Sequence, residues 1–237
     1  MADFLLIHGS CHGAWCWRDV IPALIALGHT ARTIDLPGAG EDKTPLDMVT
    51  LASCRDAVLR AATPDTIVVG HSWGGYPISA AAEADPDGLR ALVFLCAYIP
   101  TSGRSMVDMR KGAKRQLIVD AVRRAGDGLS YTIDPTRVPD LFYHDCPPEA
   151  VTYAAAHLCP QPITPQTTPL SIGTNFDAVP KSYIRTAYDR TIPPEYQIEM
   201  TRDWPADRVF TMRTSHSPFF ADPLGLAALF DTIARQS

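Results

Sequence analysis

The sequence predicts an α/β domain of about six mostly parallel strands, with helices on both faces and an inserted, mainly helical cap. Three observations predict it. Short apolar runs alternate with amphipathic stretches over residues 1–100 and resume over 181–237, as strands joined by crossover helices do. Between them, over 101–180, the alternation gives way to helical fragments among many prolines. Finally, the β-branched run 66–69 leads through Gly70-His71-Ser72-Trp73-Gly74 into a helix-forming stretch at 75–82. A chain of 237 residues with 46% apolar and 20% charged content is enough for one substantial core without a second domain.

Taken in order, residues 4–8 form a short strand that Gly9 ends. After the loop His8-Gly9-Ser10-Cys11-His12-Gly13, the residues Trp15, Trp17, Val20, Ile21, Leu24 and Leu27 recur at helical spacing up to Gly28, which is placed to cap that helix. Residues 29–36 read as a second strand, closed by Pro37-Gly38-Ala39-Gly40. Thr50 is placed to cap a helix beginning at Leu51, with Leu51, Cys54 and Val58 on its buried side. The 66–69 strand and its helix come next, then an almost wholly apolar strand over 89–97. Such strands are expected where helices cover both faces of a sheet.

In the inserted segment, amphipathic helices are expected around 114–124 and 148–158. The run Pro160-Gln161-Pro162-Ile163-Thr164-Pro165 is excluded from a helix interior or a central strand, because proline lacks the amide donor both need. The apolar content of this segment (Leu141, Phe142, Tyr143, Val151, Tyr153 and Leu158 among others) predicts a packed cap and not a bare linker. Strand 182–186, helix 195–202, strand 208–212 and a closing helix over 224–234 complete the reading.

Several function classes are set aside by composition. A net charge of −5 gives no electrostatic footprint for nucleic acid or an anionic membrane. The local run Arg110-Lys111-Gly112-Ala113-Lys114-Arg115 reads as a solvated helix face. The cysteines Cys11, Cys16, Cys54, Cys96, Cys146 and Cys159 show neither C-x-x-C nor ligand-pair spacing, so free thiols in a reducing cytoplasm are expected, with no metal site and no cofactor. Met1-Ala2-Asp3 runs straight into Phe4-Leu5-Leu6-Ile7 without the pattern of a targeting or membrane segment,.

The chemistry centres on Ser72. A G-x-S-x-G alone arises by accident in roughly one chain in twelve of this length. Between a strand and a helix it becomes a nucleophile elbow, in which the serine sits on a strained turn with its hydroxyl above the sheet. Side chains at Gly70 or Gly74 would crowd that turn. The order serine, acid, histidine then places the base after the last strand and the acid after the strand before it. His216, in Thr214-Ser215-His216-Ser217-Pro218, and Asp189, between the 182–186 strand and Ile192-Pro193-Pro194, answer to those positions. His144 and His157 fall in the cap; among rival acids, Glu195 starts a helix and Asp108 belongs to the cap. The Trp73 and Ser10 amides are the expected oxyanion donors, and His8 is expected to brace the loop after the first strand. His12, Cys11, Tyr98 and Phe219 are the expected substrate contacts, in a mostly apolar pocket.

These motifs together, with Leu27-Gly28-His29, Asp35-Leu36 and Ile192-Pro193-Pro194-Glu195-Tyr196-Gln197, resemble the α/β-hydrolase superfamily. More narrowly, they resemble the plant methylesterase and hydroxynitrile lyase family and its bacterial esterase relatives. The resemblance implies the α/β-hydrolase fold, with Ser72, His216 and Asp189 as a catalytic triad and Ser10 and Trp73 as oxyanion donors. It implies cleavage of carboxylic esters through an acyl-enzyme, without a cofactor. The aromatics of the pocket and of the cap point to small hydrophobic or aromatic substrates. Members of the family are often homodimers, although the sequence itself does not give an oligomeric state. The lyases carry a threonine where Gly9 stands and a lysine where Ser217 stands, so the esterase branch is favoured. A cyanohydrin lyase, other acyl chemistry (amide, thioester or lactone cleavage) and a non-catalytic small-molecule receptor are the alternatives.

Overall fold

In the computed structural model, which describes residues 1–236, the apolar runs become strands. They are β1 (Asp3–Ile7), β2 (Thr30–Ile34), β3 (Thr66–His71), β4 (Ala91–Leu95), β5 (Val122–Arg124), β6 (Ser130–Ile133), β7 (Gln161–Pro162), β8 (Lys181–Thr186) and β9 (Val209–Met212). The main sheet has six strands in the order β2-β1-β3-β4-β8-β9, and all its neighbouring pairs are parallel. Ser237, the end of the expected core segment, lies outside the described residues.

Side chains of successive strand residues point to opposite faces, and each face has its own core. Phe4, Leu6, Ile67, Val69 and Val93 belong to one apolar cluster, with Val20, Leu24, Leu226 and Phe230 of the helices Val20–Ala26 and Pro223–Ala234. Leu5, Ile7, Val68, Leu92 and Phe94 belong to the other, with residues of the helices Leu51–Ala61 and Gly75–Ala84. Every residue of β3 and β4 is therefore buried. At about 1.5–3 kcal/mol for each large apolar side chain, this double covering supplies most of the rigidity beneath Ser72. Gly28 closes the first helix with φ 85°, and the Thr50 hydroxyl accepts from the Ser53 amide as the predicted cap.

The inserted segment departs from its reading in one place. Residues 114–124 do not form a helix: a short 3-10 turn, Val119–Ala121, leads directly into β5. β5 pairs antiparallel with β6, Val122 opposite Ile133, around Gly126-Asp127-Gly128, a glycine-flanked turn of the hairpin type. The segment thus holds a three-stranded sheet, β5-β6-β7, besides its helices. The helix Pro148–His157 forms as expected. The proline run also behaves as its chemistry demands, with Pro162 in the edge strand β7 and Pro165 in the first turn of the helix Thr164–Thr167. Val138, Leu141, Phe142, Tyr143, Ala150 and Ala154 pack in the same cluster as Trp17 and Phe219. Among the described residues no helix is long and apolar enough to cross a membrane.

Candidate active site

At the carboxyl end of β3 the chain turns sharply. Ser72 has φ 55°, a left-handed conformation that costs a serine about 1–3 kcal/mol. A 3-10 turn, Ser72–Gly74, runs straight into the helix Gly75–Ala84, so the Trp73 amide is among the unpaired donors of a helix start. A β-carbon on Gly70 would lie 2.6 Å from the Gly74 carbonyl oxygen, and one on Gly74 would lie 2.9 Å from the His8 oxygen. Of the three glycines at this turn, Gly75 has the tightest approach: a β-carbon would stand 2.2 Å from the backbone oxygen of Tyr98. Gly75→Ala is accordingly expected to cost about 2–3 kcal/mol through overpacking against backbone that cannot yield. Equilibrium urea unfolding checks this, and wild-type stability would contradict the packing described.

Asp189 and His216 meet beside this turn. Nδ1 of His216 donates to Oδ2 of Asp189 at 2.7 Å, with both side chains buried. The same carboxylate accepts from the Thr186 hydroxyl, the Gln197 amide and the backbone amides of Thr191 and Ile192. Five donors on one carboxylate fix its plane and therefore the plane of the imidazole it holds. Gln197 is itself locked, accepting from the Thr186 amide and donating to the Ile192 oxygen. The segment after β6 closes over these loops: Thr191 donates to Leu141 O, and Ser215 donates from its amide to Asp145 and from its hydroxyl to Phe142 O.

His216 is also held by its own backbone. Nε2 of His71 donates to its carbonyl at 2.8 Å, and the Cys96 thiol points at the same oxygen. Ligand-type atoms of His71, Cys96 and His216 lie within 4.8 Å of one another. This trio is a poor metal set: the Cys96 thiol keeps its proton, aimed at a peptide oxygen and pushed well above its ordinary range by burial, and His216 commits Nδ1 to Asp189. His12 is fixed at both nitrogens, Nδ1 donating to Ser10 O at 2.7 Å and Nε2 accepting from Tyr143 at 2.6 Å. His8 braces the loop, Nδ1 donating to Gly9 O and Nε2 accepting from the Leu36 amide.

Burial holds these extra rings neutral, His12 down to about 3 and His71 well below 6.5. Once unfolded they regain their ordinary value of 6.5, so below that pH the unfolded chain binds protons the folded one refuses. Stability is therefore full above pH 6.5 and falls as pH drops towards the folded values, by about 1.4 kcal/mol per pH unit for each ring. Urea unfolding at pH 7.5 and pH 5 is expected to show a loss of several kcal/mol; equal midpoints would show that the rings are not held neutral.

Ser72 and His216 line one cavity of about 30 Å³ with Ser10, His12 and Tyr98, room for a water or two. The Tyr98 amide donates to the Ser72 carbonyl. The structure does not bring two expected contacts to this cavity. Cys11, with φ 62°, lines instead a separate cavity of about 210 Å³ beside Leu158 and Cys159. Phe219 stands behind the site, edge-on to His71 at 5.0 Å and to Trp17 at 5.4 Å, because the turn after His216 carries it into the core. The cavity also takes the aromatics Tyr131 and Phe142 of the segment 101–180, and residues that sequence reasoning missed: Met106, Ile118, Val122 and Arg110. Arg110 was expected on a solvated helix face. The signal that would have found it is its spacing from Met106, four residues earlier on the helix Met106–Gly112, which puts both on one side.

A six-stranded parallel sheet, a strained serine between strand and helix, and a buried Asp–His pair at neighbouring strand ends define an α/β-hydrolase. Residues 4–229 match the model of the alpha/beta hydrolase family, and the chain belongs to it. Within that family it is methylesterase-like, a carboxylesterase-type hydrolase. Methylesterase 17 of Arabidopsis thaliana is 31% identical, the alignment covering 95% of this chain and 89% of that protein. Esterase PIR7B of Oryza sativa subsp. japonica is 32% identical over 82% of this chain and 81% of its own. A crystal structure of a pyrethroid hydrolase from Sphingobium faniae JZ-2 superposes with a TM-score of 0.86 at 26% identity, covering 99% of this chain and 97% of that one.

Proposed function

We propose that the chain hydrolyses carboxylic esters of small hydrophobic or aromatic compounds through Ser72, His216 and Asp189, with residues 101–180 acting as a cap over the site. The observation that carries this reading is the bond between His216 Nδ1 and Asp189 Oδ2. It commits that ring nitrogen to the carboxylate and leaves Nε2 to work on Ser72, which lines the same cavity. Among the described residues no hydrogen bond joins the Ser72 hydroxyl to the ring; such contacts commonly tighten when substrate binds. In the reaction, Nε2 takes the Ser72 proton as Oγ attacks the ester carbonyl, and Asp189 stabilises the imidazolium. The Trp73 and Ser10 amides receive the oxyanion. His216 then protonates the leaving alcohol, and water repeats the sequence on the acyl-enzyme.

Incubation with a fluorophosphonate, followed by peptide mass spectrometry, tests the reading alongside hydrolysis of a panel of methyl esters. One adduct on Ser72 and ester turnover are expected. Neither labelling nor turnover would leave a receptor role, and cyanide release from mandelonitrile in place of hydrolysis would favour the lyase. At Ser217, where the lyases carry a lysine, stands a buried neutral hydroxyl in place of the charge that would hold a departing cyanide,.

A further inference from the structure

Arg110 takes no part in the chemistry above, yet it lines the cavity that holds Ser72. It also lines a second cavity of about 330 Å³, and Arg110, Val122 and Tyr131 are shared by the two. These three residues therefore form the wall between the inner chamber and an outer vestibule. Among the described residues no acidic side chain pairs with Arg110. Its Nε is buried without a hydrogen-bond partner among the described residues, and none of their carboxylates lines either cavity. Arg115 and Arg123, close by in sequence, pair with Glu195 and Asp134. The vestibule adds a second cation, Arg124, in a chain whose net charge is −5.

A half-buried guanidinium facing a pocket with no partner is costly unless a ligand supplies one. Its planar fork of donors matches a carboxylate in two-point fashion. Met106, Ile118, Val122 and Phe142 supply an apolar side to the wall, which suits a hydrocarbon spacer. We infer that the preferred substrates are monoesters of dicarboxylic acids, with the ester carbonyl at Ser72 and the free carboxylate on Arg110. This rests on the esterase reading and narrows its substrate class.

The test uses monomethyl and dimethyl esters of the linear dicarboxylic acids from malonate to sebacate. For at least one chain length the wild-type protein is expected to favour the monoanion over its dimethyl ester by about 10-fold or more in kcat/KM, the scale of a charge-assisted hydrogen bond. In Arg110→Gln that ratio falls to about unity, and Arg110→Lys, which keeps the charge without the fork, retains part of it. Because the ratio is taken within each variant, a general loss of folded protein cancels. A wild-type preference for the dimethyl ester at every length, or an unchanged ratio in Arg110→Gln, would overturn the inference. If no ester is turned over and Ser72 takes no label, the esterase reading fails first. Calorimetric titration with the free dicarboxylates then decides the carboxylate site: binding lost in Arg110→Gln supports it, and equal binding in both proteins rejects it.

Discussion

Ser72→Ala is expected to lower kcat on a methyl ester by at least about 10⁴-fold, a loss of roughly 5 kcal/mol of transition-state stabilisation. The size follows from what the hydroxyl does. Without it no acyl-enzyme forms, and only the oxyanion donors and substrate binding remain to accelerate direct attack by water. The fold is expected to survive, because the Ser72 hydroxyl makes no hydrogen bond to the described residues and alanine removes one atom. The strained φ of 55° persists, so the change in urea-unfolding free energy is expected to stay within about 1 kcal/mol. Near-wild-type turnover by a labelling-negative, well-folded variant would remove Ser72 from the mechanism.

What could be read in advance was what local chemistry dictates. β3, its turn and its helix were legible because β-branched residues, glycine and helix formers follow one another within a few positions. Asp189 and His216 were legible because parallel strands bring their carboxyl ends to one edge, so chain order alone predicts a meeting. Side-chain direction in loops was not. No periodicity announces the positive φ at Cys11, which lines a cavity other than that of Ser72, or the turn that sends Phe219 behind His71. The stretch 114–124 was misread because its charges alternate with apolar residues loosely enough to fit a helix, while the glycines at 126 and 128 that make the hairpin lie just beyond it. Arg110 was misread for a related reason: within a basic run, net charge drew the reading to solvent, and the register with Met106 was the better guide.

Asp189→Asn tests whether the carboxylate holds a particular tautomer of His216 or simply fills space. The amide is nearly isosteric, but it cannot satisfy the surrounding donors in either orientation. With its oxygen towards the Thr191 and Ile192 amides, at 2.7 and 2.8 Å from Oδ1, its NH₂ faces the Gln197 amide and His216 Nδ1, 3.0 and 2.7 Å from Oδ2. The ring must then present Nδ1 as an acceptor and carry its proton on Nε2, where it can no longer take one from Ser72. Flipped, the amide sets its NH₂ against the Thr191 and Ile192 amides, for which Asp189 is the acceptor, at a cost of about 1–3 kcal/mol for each one left unpaired. The first arrangement is the less costly, so kcat is expected to fall about 10³- to 10⁴-fold with little change in KM. Solvent-exchange-resolved NMR of the His216 imidazole would show the proton moving from Nδ1 to Nε2. A variant with the wild-type tautomer and wild-type kcat would mean that this carboxylate, for all its five donors, does not set the state of the base.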